Sequence, residues 1–311
     1  YGYELLWGML LVVVFMWAMI REVGRYTVVS GRTILDAYAE LPGPRGWAVW
    51  FIFVPQLLSA VVLIAGIAGL IGSALMIVLP GSHLAYGVGI MLGSCALVVW
   101  GRYSAVERVA QGIAAVLIVA AVATAARLFP APEDFASGIL PGFPAEMDVA
   151  FVLPWIGFML AGAAGIMWFS YWIAARGYGD EAQGESEPAN PNPRATKEAT
   201  DNAAAATEHD APLFQQSAKD TKERLVRWLR VMGTAAAIGT VWGGVIMVAF
   251  LILGAELLRP EGVVPEGVAV AEDLSRLLSE VWGPAGFWVL IVCVVGVLLG
   301  TVVANQDGWG R

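Results

Sequence analysis

The chain has 311 residues, 58% of them hydrophobic and 14% charged, with a formal net charge of −8 and a mean hydropathy of +0.70. Those values lie outside the range of soluble domains, so the bilayer is the expected solvent, and nothing in the charge balance suggests a nucleic-acid partner. The two cysteines, Cys95 and Cys293, both fall in apolar runs and read as buried thiols, not as a disulfide framework.

Six stretches carry no Asp, Glu, Lys or Arg: residues 5–20, 46–101, 109–126, 149–175, 231–255 and 281–306. All but the first reach the length of the shortest bilayer-crossing helix, and the second, broken by Leu79-Pro80-Gly81-Ser82-His83, is long enough to cross twice. The runs are continuous and rich in Ala, Leu, Val and Gly, without the alternation of a barrel strand, so they read as helices. Seven transmembrane helices are expected, in an all-α polytopic membrane protein. The first begins almost at once after Tyr1 and the last ends shortly before Arg311, so helices are expected to be missing on both sides of a fragment.

Between spans one and two stand Arg21, Arg25, Arg32 and Arg45, and between three and four Arg102 and Arg108. Arg311 follows span seven, and eight more cations lie between spans five and six. That puts 15 of the 18 Lys and Arg on one side, which the positive-inside bias makes cytoplasmic. The opposite face carries Arg127, Arg259 and Arg276 among ten carboxylates, including Glu133, Asp134, Glu256 and Glu261. An acidic mouth of this kind concentrates cations, although ordinary solvated loops have the same composition. The chain is expected in the plasma membrane, with the bilayer as its partner and no indication of oligomeric state.

From Tyr178 to Lys222 the composition shifts to Ala, Glu, Pro, Asn, Thr and Gln, as in SEPANPNPRATKEATDNAAAATEHD from Ser186 to Asp210. Such a segment cannot bury enough apolar surface to order itself, so residues 178–222 read as a disordered cytoplasmic linker between helical parts at 1–177 and 223–311. Its basic flanks, Arg176 and the run from Lys219 to Arg230, suit lipid headgroups or plain solvation.

The spans hold no ionisable residue at mid-depth, and the only histidines, His83 and His209, fall in a turn and in the linker. No nucleophile, acid or base set and no His or Cys ligand spacing is present, so neither an enzyme nor a resident cofactor is expected. What remains is backbone chemistry in the fifth span, where Pro154, Gly157, Gly162 and Gly165 weaken the helix and Ala161, Ala163 and Ala164 fill the gaps. Close helix packing accounts for this density of small residues. An unwound segment, whose freed carbonyls coordinate a cation, accounts for it as well. On that second reading the metal site is the backbone of Ala161, Gly162, Ala163, Ala164 and Gly165, and oxygen ligands favour hard ions such as Mg²⁺ or Mn²⁺. The second span repeats the theme with Ala65, Gly66, Ala68, Gly69, Gly72 and Ser73, a face bare enough for a neighbouring backbone. Pro55 and Gln56 add a kink and a polar group near its start.

The stretch Tyr3-Glu4-Leu5-Leu6-Trp7, the segment VVSGRTILDAYAEL from Val28 to Leu41, and IAGIAGLIGSALMI from Ile64 to Ile77 resemble the second helix, the loop after it and the third helix of the Nramp family of divalent-metal transporters. The resemblance implies a LeuT-type fold of two inverted five-helix repeats. The seven spans then match that family's helices two to eight, and the first helix, with its metal-binding Asp and Asn, precedes Tyr1. Where the family's third helix carries an Asp and a Glu used in proton movement, this chain has Gly66 and Gly69. Where its sixth helix carries Met, Pro and His, the matching region lies within Ala161 to Gly165. Losing a thioether relaxes selection toward hard ions. The pattern is similar to the divergent Nramp-related branch that moves Mg²⁺ without proton coupling.

A second reading keeps the superfold and replaces the ion by an amine or amino acid held against Trp168, Phe169, Tyr171 and Trp172, residues that equally suit an interfacial belt. At the end of the last span, Asn305 and Gln306 suit an inner gate, or Asp307 and Arg311 an interfacial anchor.

Overall fold

A computed structural model describes residues 1–100, 104–159, 162–175, 211–265 and 270–310. The helices are α1 (Leu6–Ser30), α2 (Ile34–Ala39), α3 (Trp47–Val78), α4 (His83–Val99), α5 (Ser104–Arg127), α6 (Pro132–Ile139), α7 (Val149–Phe158), α8 (Gly162–Ala175), α9 (Ala211–Leu253), α10 (Val270–Trp282) and α11 (Pro284–Gly310), and no strand occurs among the described residues. A π-helical turn, Gly254–Leu258, continues α9.

Five helical stretches are long and apolar enough to cross a membrane: Leu6–Ser30, Trp47–Val78, Arg108–Arg127, Lys222–Leu258 and Pro284–Gly310. The other two expected crossings take different forms. The third is α4, whose 17 residues span about 26 Å at ~1.5 Å per residue. The fifth is divided into α7 and α8. The expected linker, 178–222, overlaps α9, which starts at Ala211. Leu225, Trp228 and Leu229 pack on Val28 and give that helix a tertiary anchor, and Ala, Gln, Lys and Glu before them are good helix formers. The rest of that segment, with His209, and the flanking Arg176 lie outside the described residues.

The chain divides into two compact units. In the first, made of Tyr1–Val14, Trp50–Leu160 and Val241–Arg311, α11 packs on α4, α5 and α10. Small residues set these approaches. A Cβ on Gly296 would stand 2.6 Å from Ile113, and one on Gly300 2.6 Å from Ala110. Cys293 sits buried on the same face with its thiol toward the Ile113 carbonyl. Trp282 closes this packing by donating its indole N–H to Thr124 Oγ1 at 2.8 Å, with the Arg127 guanidinium 4.6 Å from its ring centroid.

The second unit is Phe15–Val49 with Ala161–Thr240. Its core joins Val28, Ile173 and Met232 to Phe169, Leu225, Trp228 and Leu229. Gly24 of α1 lets Met232 and Phe169 close in, since a Cβ there would meet them at 2.6 and 2.9 Å. Short α2 is held by a capping box between Thr33 and Asp36, and the Ile34 N–H donates to Ser170 Oγ of α8 at 3.3 Å. Arg32 pairs with Glu40 at 2.7 Å, and the guanidinium keeps that exposed carboxyl below its usual range.

Candidate functional site

Pro154 and Gly157 weaken α7 from within, and the helix ends at Phe158. Met159 then leaves helical geometry, with φ −57° and ψ 137°. The next helix, α8, starts at Gly162, whose φ of +55° costs a side-chain-bearing residue about 1–2 kcal/mol. Helical geometry thus stops after Phe158 and is found again from Gly162, with residues 160 and 161 outside the described ones. Of the five residues expected to line the interruption, Gly162, Ala163, Ala164 and Gly165 stand in the first turn of α8, and Ala161 lies outside the described residues.

This placement decides which polar groups are free. The opening turn of a helix leaves its N–H groups unpaired, whereas its carbonyls accept from four residues on. The last turn leaves its carbonyls unpaired. The carbonyls left without an intrahelical partner on this side of the interruption are thus those of the last turn of α7, Trp155 to Phe158, at its negative end. Gly162 to Gly165, expected as ligands, lie on the far side of the interruption from that turn, because glycine marks where the backbone can turn and not which side carries the orphan carbonyls.

Reasoning on Ala161 to Gly165 also passed over a thioether. Met159 stands in the break itself and is 6% exposed, packed with Leu6 and Met9 and flanked by Trp155 and Met247. A sulfur two residues ahead of the run of small residues that starts at Ala161 was the available signal. Its side chain serves the apolar cluster here.

The two glycines of α3 that replace the expected acids differ in surroundings. A side chain at Gly66 would enter open space. Gly69 is covered by His83, whose Nε2 lies 2.9 Å from the Gly69 carbonyl. Next to it, a Cβ on Gly72 would stand 2.9 Å from the His83 carbonyl oxygen. Ala68, Ile71, Ser73 and Ala74 are buried around them. The small-residue face of α3 is the seat of the start of α4.

The aromatic residues of α8 are largely packed. Trp168 is buried and its ring centroid lies 6.2 Å from that of Trp172, while Phe169 belongs to the Val28 cluster. At the end of α11, Asn305 is 6% exposed and donates to the Thr301 carbonyl at 2.8 Å. Gln306 donates to the Met91 carbonyl at 3.4 Å. Among the described residues no group of three or more His, Cys, Asp or Glu could hold a metal ion.

One carboxylate stands on the π-helical turn. Glu256 accepts a hydrogen bond from the Tyr3 hydroxyl at 2.8 Å, and burial, followed by this bond, pushes the Tyr3 phenol well above its ordinary value. Gly138 of α6 approaches so closely that a Cβ would collide with the Tyr3 carbonyl oxygen.

Apolar helices long enough to cross a membrane, no strand among the described residues, and an apolar run divided between α7 and α8 define a polytopic integral membrane protein of transporter type. The family model for natural resistance-associated macrophage protein-like (Nramp) proteins matches residues 1–305. The chain belongs to the Nramp family, whose fold is the LeuT type and whose members carry divalent metal ions and are not enzymes. No curated protein matches the chain.

Proposed function

We propose that this chain moves a hard divalent cation, Mg²⁺ or Mn²⁺, without coupling it to protons, and that the ion is held in part by the free carbonyls at the end of α7. The observation that carries the reading is the interruption after Phe158, with Met159 extended and Gly162 at positive φ. Carbonyl oxygens suit hard cations, and they need no side-chain ligand from the segment 161–165. Gly66 and Gly69 offer no carboxylate to carry a proton along α3. The protein is placed in the plasma membrane, and the bias of Lys and Arg makes the segment between α8 and α9 cytoplasmic on this reading.

An organic substrate is less favoured because Trp168 and Phe169, which would line its pocket, are engaged in packing. The test is uptake of Mg²⁺ and Mn²⁺ into proteoliposomes holding the full-length protein, with a pH-sensitive dye in the lumen. Uptake of either ion at constant lumenal pH is expected. Acidification that tracks uptake excludes the uncoupled reading, and uptake of neither ion excludes both cations.

A further inference from the structure

The basic N-terminal half of α9 is not used by the transport reading. Its helix of 43 residues measures about 65 Å at ~1.5 Å per residue, twice the ~30 Å hydrocarbon core. Leu225, Trp228, Leu229 and Met232 turn one face onto Val28 and Ile173. The opposite face exposes Lys222, Glu223, Val226, Arg227 and Arg230, which line one surface depression. These positions are spaced i, i+1, i+4, i+5 and i+8, so they form one stripe.

None of Lys222, Arg227 and Arg230 forms an ion pair with a described residue. Within the stripe, Val226 is 47% exposed, and the face continues with Val231 at 46% and Ile238 at 55%. Positive charge thus gives way along one face to bare aliphatic surface at the point where the apolar run begins. The contact of Gly24 with Met232 brings the basic end of α1, with Arg21 and Arg25, to the same level.

We infer that this stripe binds the headgroup of an anionic phospholipid, with the phosphate held by Lys222, Arg227 and Arg230 and the acyl chains lying along Val231 and Ile238. A free phosphate has no use for the aliphatic half of the face, and a phospholipid matches both halves. Guanidinium groups suit phosphate through paired N–H donors, and each cation near a bilayer surface contributes about fivefold in affinity for anionic lipid. Glu223 is the one carboxylate in the stripe and opposes binding.

Native mass spectrometry of the detergent-purified full chain, titrated with phosphatidylglycerol and with phosphatidylcholine, tests the assignment. Phosphatidylglycerol adducts are expected to exceed phosphatidylcholine adducts and to fall about a hundredfold in the Lys222→Gln, Arg227→Gln, Arg230→Gln triple variant. Should that variant fail to fold, Glu223→Gln decides alone, with tighter phosphatidylglycerol binding expected. Equal binding of the two lipids, an unchanged triple variant, an unchanged or weakened Glu223→Gln, or displacement of the lipid by millimolar inorganic phosphate overturns the assignment.

Discussion

The Tyr3 hydroxyl donates to Glu256 Oε1 at 2.8 Å across 253 residues of chain, tying the entry of α1 to the π-helical turn after α9. Tyr3 is 8% exposed and packs with Ala125, Ala249 and Ile252. A hydrogen bond to a charged acceptor contributes about 1.5–3 kcal/mol. Tyr3→Phe is therefore expected to lower unfolding stability in detergent by about 2 kcal/mol, measured by denaturant titration. A loss under ~0.5 kcal/mol would show the bond to be incidental.

The same pair gives a pH signature. The Tyr3 phenol is raised in the folded protein, first by burial and then by Glu256. A raised group contributes stability that is complete below its unfolded value, about 10, and is lost as pH climbs toward the folded one. The wild type is expected to lose stability above about pH 10 more steeply than Tyr3→Phe, read from melting temperatures across an alkaline series. Parallel curves would remove Tyr3 as the source.

Gly66 and Gly72 lie six residues apart on α3 and predict opposite outcomes. A Cβ at Gly72 would press on the His83 backbone at 2.9 Å, whereas Gly66 faces open space. Overpacking of this kind costs about 1–3 kcal/mol. Gly72→Val is expected to destabilise by that amount and Gly66→Ala by less than ~0.5 kcal/mol, in the same unfolding assay. Equal effects would mean that α4 does not seat on α3 through Gly72.

Trp282 gives a third stability test. Its indole donates to buried Thr124 and carries the Arg127 guanidinium on its ring. Trp282→Phe keeps an aromatic face and removes the donor. A loss of about 1 kcal/mol is expected, and Thr124, still bonded to the Ala120 carbonyl at 2.6 Å, should keep its burial, as read by hydrogen exchange around α5.

Gly162 links the fold to transport. At φ +55°, Gly162→Val costs about 1–2 kcal/mol of backbone strain and is expected to move the break and cut divalent-cation uptake at least tenfold. Gly165→Ala, inside the regular turn of α8, is expected to leave uptake within twofold. A Gly162→Val variant that folds and transports normally would separate the break from function.

What the sequence shows well is local. Charge-free runs locate the crossing helices because desolvating a charge is costly at every position of a span, and Pro154 with Gly162 marks the interrupted one. Side-to-side contacts are a different matter. Tyr3 with Glu256 and Trp282 with Thr124 depend on how remote helices pack, and nothing near either residue encodes its partner. The start of α9 at Ala211 was hidden for a related reason: Leu225 and Trp228 stabilise it from outside, against Val28. Of the candidate site, Pro154, Gly157 and Gly162 make the end of α7 and the start of α8 legible, whereas which carbonyls fall in a last helical turn follows from where the helix stops, which no single residue encodes.

The central claim, that an ion sits on the peptide oxygens closing α7, is tested most directly by solid-state NMR of protein carrying ¹³C at the carbonyls of Gly157 and Phe158, and separately of Gly162 and Gly165, during Mg²⁺ titration in lipid. The account predicts saturable shifts at Gly157 and Phe158 and none at Gly162 and Gly165. Silence at the first pair, in protein that still takes up the ion, would contradict it.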